Sequence, residues 1–80
     1  MTILYSKQAV KAIGRIDGIM KQRIKQGIEG IPKGDIVSLQ GAPGHYRLRV
    51  GDWRILFSYE ESDIIRINKI APRGEVYKGV

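Results

Sequence analysis

Apolar and polar positions alternate most cleanly between His45 and Tyr59, HYRLRVGDWRILFSY. In a strand, successive side chains point to opposite faces. Tyr46, Leu48 and Val50 therefore share one side of a first arm, and His45, Arg47 and Arg49 the other. Gly51-Asp52 supplies turn chemistry, and residues 53–59 read as a second arm. There Arg54, Leu56 and Ser58 fall on one face, with Trp53, Ile55, Phe57 and Tyr59 on the other. The pattern predicts an antiparallel hairpin with His45 and two arginines on one arm and Arg54 just past the turn.

The period changes on either side of this hairpin. Residues 2–5 (TILY) form a short β-rich run, and Ser6 is a natural N-cap for a helix beginning at Lys7. Ala9, Val10, Ala12 and Ile13 have helical spacing, with Lys7 and Lys11 on the opposite side. Asp17 reads as a second N-cap. It precedes a helix over about 18–28, in which Met20, Ile24 and Ile28 recur every fourth residue and Lys21, Arg23, Lys25 and Gln26 face outward. Gly27 and Gly30 weaken its end, and Pro32 stops it. Residues 31–44 are loop-like at both ends, around a short strand or turn at 35–39. After a polar turn at 60–63, residues 64–70 (IIRINKI) are apolar enough for a central strand. Residues 71–74 break that strand, and 75–78 form a short strand or tail. The expected fold is α+β: two N-terminal helices packed on one face of a twisted antiparallel sheet of about four strands.

Composition narrows what such a domain can do. Eighty residues imply one small domain, expected to span 1–80, and 42% apolar residues suffice for a modest core. With no cysteine and a single histidine, neither a disulfide framework nor a zinc site is expected, and no cofactor is implied. A net charge of +6 is a large excess for this length and points to nucleic acid, a membrane surface or an acidic protein partner. No run approaches the roughly 18 apolar residues of a membrane span, and the first ten residues lack signal-peptide character. A soluble cytoplasmic protein, with no membrane partner, is the expectation.

One histidine, no cysteine and no close pair of acids exclude most protease, glycosidase and metal-hydrolase constellations. No phosphate-binding glycine loop is present either. What remains is arginine, lysine, one histidine and tyrosine, which together suit cleavage of an RNA phosphodiester. The 2′-hydroxyl there attacks the adjacent phosphorus. The protein must orient the chain, neutralise charge building on phosphate oxygens, and move two protons. Arginines supply charge and bidentate hydrogen bonds, and aromatic rings stack unpaired bases. A plainer reading stands beside this one, in which surface arginines on a strand, and Lys21, Arg23 and Lys25 on a helix, are solvated faces. Trp53 and Phe57, opposite Arg54, are expected in the core.

Y-R-L-R-V-G-D-W-R-I-L-F, followed by an isoleucine-rich strand and then R-G-E-V-Y, resembles the RelE/ParE toxin superfamily of toxin–antitoxin systems, and the RelE branch more than the ParE branch. The order of elements resembles that family over nearly the whole chain. The resemblance implies an mRNA endonuclease acting in the ribosomal A site and neutralised by a cognate antitoxin, here expected to be acidic and partly disordered until bound. It implies catalytic roles for Arg54, which would stabilise the phosphate, for Arg73 as a second arginine, for Tyr77 in stacking or proton relay, and for Arg47. His45 and Arg49 would bind RNA. The chain departs from the family in its His-Arg-Arg ladder, where relatives are lysine-rich, and in Pro-Arg-Gly before E-V-Y, where several carry a histidine. That leaves His45 and Tyr77 as alternative general bases; Tyr77 could instead cap the core. Two other activities fit the same superfamily: a ParE-like inhibitor of DNA gyrase, and a weakly catalytic nucleic-acid-binding member.

Overall fold

The structure is a computed structural model that describes residues 1–76 of the chain. Its elements in order are β1 (Thr2–Tyr5), α1 (Lys7–Arg15), α2 (Gly18–Glu29), β2 (Asp35–Ser38), β3 (His45–Val50), β4 (Trp53–Glu61) and β5 (Ile64–Pro72). Both helices start at the residues whose side chains can cap them. Ser6 Oγ accepts from the Ala9 N–H at 3.1 Å and Asp17 Oδ1 from the Met20 N–H at 3.1 Å, each satisfying a donor that the first turn leaves unpaired. Ile16, in the break between the helices, is buried in the core. Among the described residues no helix is long and apolar enough to cross a membrane.

The five strands form one sheet in the order β1-β5-β4-β3-β2. The expected α+β arrangement holds, with two differences from the sequence expectation. The described residues form five strands where about four were expected, and the sheet is mixed, because β1 runs parallel to β5 with Thr2 opposite Ile64 and Tyr5 opposite Ile67. The cause is the route of the chain. The helical hairpin carries it from one edge of the sheet to the other, and a meander β2-β3-β4-β5 brings it back beside β1. A pairing between residues some 62 apart leaves no local mark in the sequence.

Where β1 ends, α1 takes over the edge of β5. The Ser6 N–H donates to Ile67 O at 2.9 Å. Gln8 then mimics a strand residue: its Nε2 donates to Ile70 O at 3.0 Å, and its Oε1 accepts from the Ile70 N–H at 2.9 Å. β5 also carries a bulge, since Leu56 pairs with Lys69 and Phe57 with Ile67, leaving Asn68 as the extra residue. The bulge allows Ile65, Ile67 and Ile70 all to reach the same core despite their uneven spacing.

That core lies between the helices and the sheet. Ile24, Ile28, Leu48, Ile55, Phe57, Ile65, Ile67 and Ile70 are almost completely buried there, with Trp53 and Tyr46 packed at its margin. Gly27 lets α2 approach β3, for a Cβ at this position would stand 3.0 Å from Val50 Cγ2 and 3.5 Å from Leu48 Cδ2. Among the described residues, no helix covers the other side of the sheet. That side carries a smaller cluster of Leu56, Ala71 and Val76, with Leu39 packed against it.

Candidate nucleic-acid interface

The strand register arranges the polar side chains of this uncovered face in rows, since residues directly opposite each other across a pair share a face. Asp35, Arg49, Arg54 and Ala71 form one row across β2, β3, β4 and β5. Val37, Arg47, Leu56 and Lys69 form the next, and His45, Ser58 and Arg66 a third. Four sequence-predicted residues, His45, Arg47, Arg49 and Arg54, are thereby gathered on one face of rigid strands.

Their environments differ. His45 is exposed. Arg49, with 55% of its side chain exposed, stands directly opposite Arg54. Arg54 is only 8% exposed. Its Nη1 folds back on the turn, donating to Gly51 O at 2.9 Å and Trp53 O at 3.1 Å. Those charge-assisted bonds fix the orientation of the guanidinium and brace a turn in which Gly51 holds φ +58°. Arg54 is thus a structural group as well as a candidate catalytic one.

Arg47 lies between Val37 and Leu56 in its row, and its side chain is 16% exposed. Its Nη2 faces Asp35 Oδ1 at 3.5 Å, and Arg49 Nη1 faces Asp35 Oδ2 at 3.8 Å. Among the described residues, Arg47 Nε is the buried side-chain polar atom without a hydrogen-bond partner. Such an orphan donor costs about 1–3 kcal/mol, so its place on this face needs an explanation.

Arg73 is exposed just beyond β5, and its N–H donates to Asp52 O at 2.7 Å, which ties the start of the C-terminal segment to the β3–β4 turn beside Arg54. Gly74 (φ +87°) then lets the chain double back, with the Glu75 and Val76 N–H groups on Pro72 O, so that Val76 covers Leu56 and Ala71. Tyr77 lies outside the described residues. A cleft of about 310 Å³ adjoins this end of the sheet, lined by Lys11, Arg15, Trp53, Pro72 and Glu75 among others.

The ring cluster has gone to the other face. Tyr46 stacks on Phe57 with centroids 5.5 Å apart, and Tyr59 meets both rings edge-on at 5.7 and 6.0 Å. Phe57 is a core residue and Trp53 packs at the core's margin, both on the face opposite Arg54.

Sequence reasoning overlooked three members of the uncovered face. In sequence Asp35 reads only as part of a short strand or turn, while the pairing of β2 with β3 places it beside the arginines. Arg66, paired with Glu60, and Lys69 stand on β5. The uneven spacing of Ile65, Ile67 and Ile70 was the signal for the bulge that brings both cations to this side.

No protein-family profile matches the chain. Toxin RelE3 of Methanocaldococcus jannaschii is 31% identical to it over 85 residues, spanning 96% of each chain. The RelB–RelE antitoxin–toxin complex from Methanococcus jannaschii contains a chain that superposes with a TM-score of 0.76 at 30% identity, over 92% of this chain and 94% of that one. The archaeal RelE–RelB complex from Pyrococcus horikoshii OT3 gives 0.72 at 31% identity, over 91% and 94%. The fold alone extends to the toxin–antitoxin complex RelBE2 from Mycobacterium tuberculosis, at 16% identity, a TM-score of 0.67, and 90% and 96% coverage. At 31% identity to Toxin RelE3 over 96% of each chain, and with the same fold in two archaeal RelE chains at 30 and 31% identity, this chain belongs to the RelE toxin family.

Proposed function

We propose that this protein is the toxin of a toxin–antitoxin pair and an endoribonuclease that cleaves mRNA in the ribosomal A site. The observation that carries the reading is the placement of Arg47, Arg49 and Arg54 in adjacent rows of one uncovered sheet face, with Arg73 tied to the same turn. Phosphodiester cleavage by an internal 2′-hydroxyl asks for little more than positioned charge and two proton transfers. Arg49, His45 and Arg47 hold the RNA backbone along β3. Arg54 and Arg73 face the scissile phosphate and neutralise its developing charge, with Arg47 contributing from the next row. The proton acceptor is His45 or Tyr77. So few reacting groups suit a nuclease whose substrate is oriented by a large partner, and the ribosome fills that role.

The antitoxin is a RelB-like protein, by analogy with the relatives solved in RelB complexes. An acidic segment complements the +6 charge of the toxin and folds on binding.

Primer extension on a translated mRNA after brief induction tests the reading. Wild-type protein should give cuts within codons that need ongoing translation, and Arg54→Ala and Arg73→Ala should give none. Arg73→Ala is the cleaner variant, because Arg54 also braces the turn. Intact mRNA with arrested growth would replace the nuclease with an inhibitor that binds a protein target such as DNA gyrase.

A further inference from the structure

The buried, unpartnered Nε of Arg47 and the carboxylate of Asp35 belong to one arrangement. In a guanidinium, Nε–H and one Nη2–H lie along the same edge and form the fork that grips an oxyanion at two points. Asp35 reaches that edge only through Nη2, at a long 3.5 Å, while its second oxygen turns to Arg49 at 3.8 Å. Nε, on the same edge, is left with nothing. The carboxylate therefore spans two arginines and satisfies neither fork. It is 53% exposed and anchored only by the exposed end of the edge strand β2, so little holds it in place.

We infer that the Nε–Nη2 edge of Arg47 is a phosphate seat that Asp35 half-fills in the free protein, and that an RNA backbone phosphate displaces the carboxylate to take both donors. Asp35 is thus an internal counter-ion of the arginine rows. In the free protein it offsets the repulsion of Arg49 against Arg54 directly opposite, a like-charge pairing that otherwise destabilises a sheet. On binding, the single negative charge of the backbone phosphodiester replaces that of the carboxylate, and the orphaned Nε gains its partner. The displaced carboxylate turns to solvent, which it already half faces. Asp35 consequently weakens every RNA equally and sets the threshold at which the site fills. The inference rests on the nucleolytic reading for the identity of the ligand, while the seat itself is tested with inorganic phosphate alone.

The experiment compares wild-type protein with Asp35→Asn, which keeps the shape and removes the charge, and with Asp35→Ala. An uncleavable 2′-O-methyl RNA oligomer is titrated at several salt concentrations. Both variants should bind about two- to fivefold more tightly, the scale of an exposed ion pair. Their plots of log K against log salt should steepen by up to roughly 0.7, one phosphate contact on a single strand. In parallel, inorganic phosphate is titrated while the Arg47 Nε–H resonance is followed; it should shift in all three proteins and saturate at lower phosphate in the variants. RNA binding in the variants that is unchanged or weaker overturns the inference, as does an Arg47 resonance that phosphate leaves unmoved. Should RNA bind none of the proteins while phosphate still moves the resonance at lower concentration in the variants, the seat and its occupant stand and the RNA reading falls.

Discussion

The two faces of this sheet are built from the same strands by the same alternation, and they solve opposite problems. On the helix-covered face, Leu48, Ile55, Phe57, Ile65, Ile67 and Ile70 lose their water to Ile24 and Ile28, and each position is judged by volume. On the uncovered face, Arg47, Arg49 and Arg54 are judged by which acceptor each guanidinium can reach. A hydrophobic side chain accepts any neighbour of suitable shape. A guanidinium donates only to acceptors at its edges, so the second face is left with two long ion pairs to Asp35 and an orphan donor. The one face is built for stability, and the other carries unmet hydrogen-bonding capacity that a ligand can satisfy.

Substitutions that separate the two faces should rank accordingly. Phe57→Ala removes a fully buried ring and should cost about 3–5 kcal/mol in urea unfolding. For a small domain that approaches the whole of its stability, so loss of toxicity would follow from loss of fold. Arg54→Ala should cost about 1.5–3 kcal/mol by freeing the Gly51 and Trp53 carbonyls, and should abolish mRNA cleavage. If cleavage persists in a folded Arg54→Ala protein, the uncovered face is not the catalytic one. Enlarging Gly27 to leucine, where a Cβ already meets Val50, should cost about 1–3 kcal/mol by overpacking, with cleavage retained in the folded fraction. Arg73→Ala is the sharpest separation of stability from function. It should change stability by less than about 0.5 kcal/mol, because the exposed side chain is lost and the backbone bond to Asp52 remains, and yet eliminate cleavage.

The covered face was the more legible in sequence for the same reason that makes it tolerant. Hydrophobic burial is read from spacing alone, so Ser6, Asp17, the isoleucines of α2 and the alternation of the hairpin announced their elements to within a residue or two. The parity of β3 and β4 also placed His45, Arg47, Arg49 and Arg54 together correctly. What parity does not carry is the state of each guanidinium. Nothing local says that Arg54 bends back onto its own turn, or that Asp35, twelve residues before Arg47, arrives beside it through strand pairing. The parallel β1–β5 pairing and the bulge at Asn68 were hidden likewise, because each depends on where distant strands come to rest.

The smallest effect tests the covered face for its intolerance of charge. Tyr5 sits at the margin of the core, and its phenol is pushed above its ordinary value, first by burial and second by the nearby Glu29 carboxylate. Both causes oppose the phenolate, so the folded protein holds this proton more tightly than the unfolded chain does. The stability linked to Tyr5 is therefore complete below about pH 10, the ordinary range of a tyrosine, and is lost as pH rises from there through the raised folded value. Tyr5→Phe has no proton to lose and should show a flatter decline in urea midpoint above pH 10, while the two proteins keep a constant offset at neutral pH. Glu29→Gln should lower the folded pKa of Tyr5 by less than the remaining burial contribution, since the carboxylate is the lesser cause. If Glu29→Gln flattens the profile as fully as Tyr5→Phe, charge and not burial governs even this side of the sheet, and the contrast between the two faces is weaker than their packing suggests.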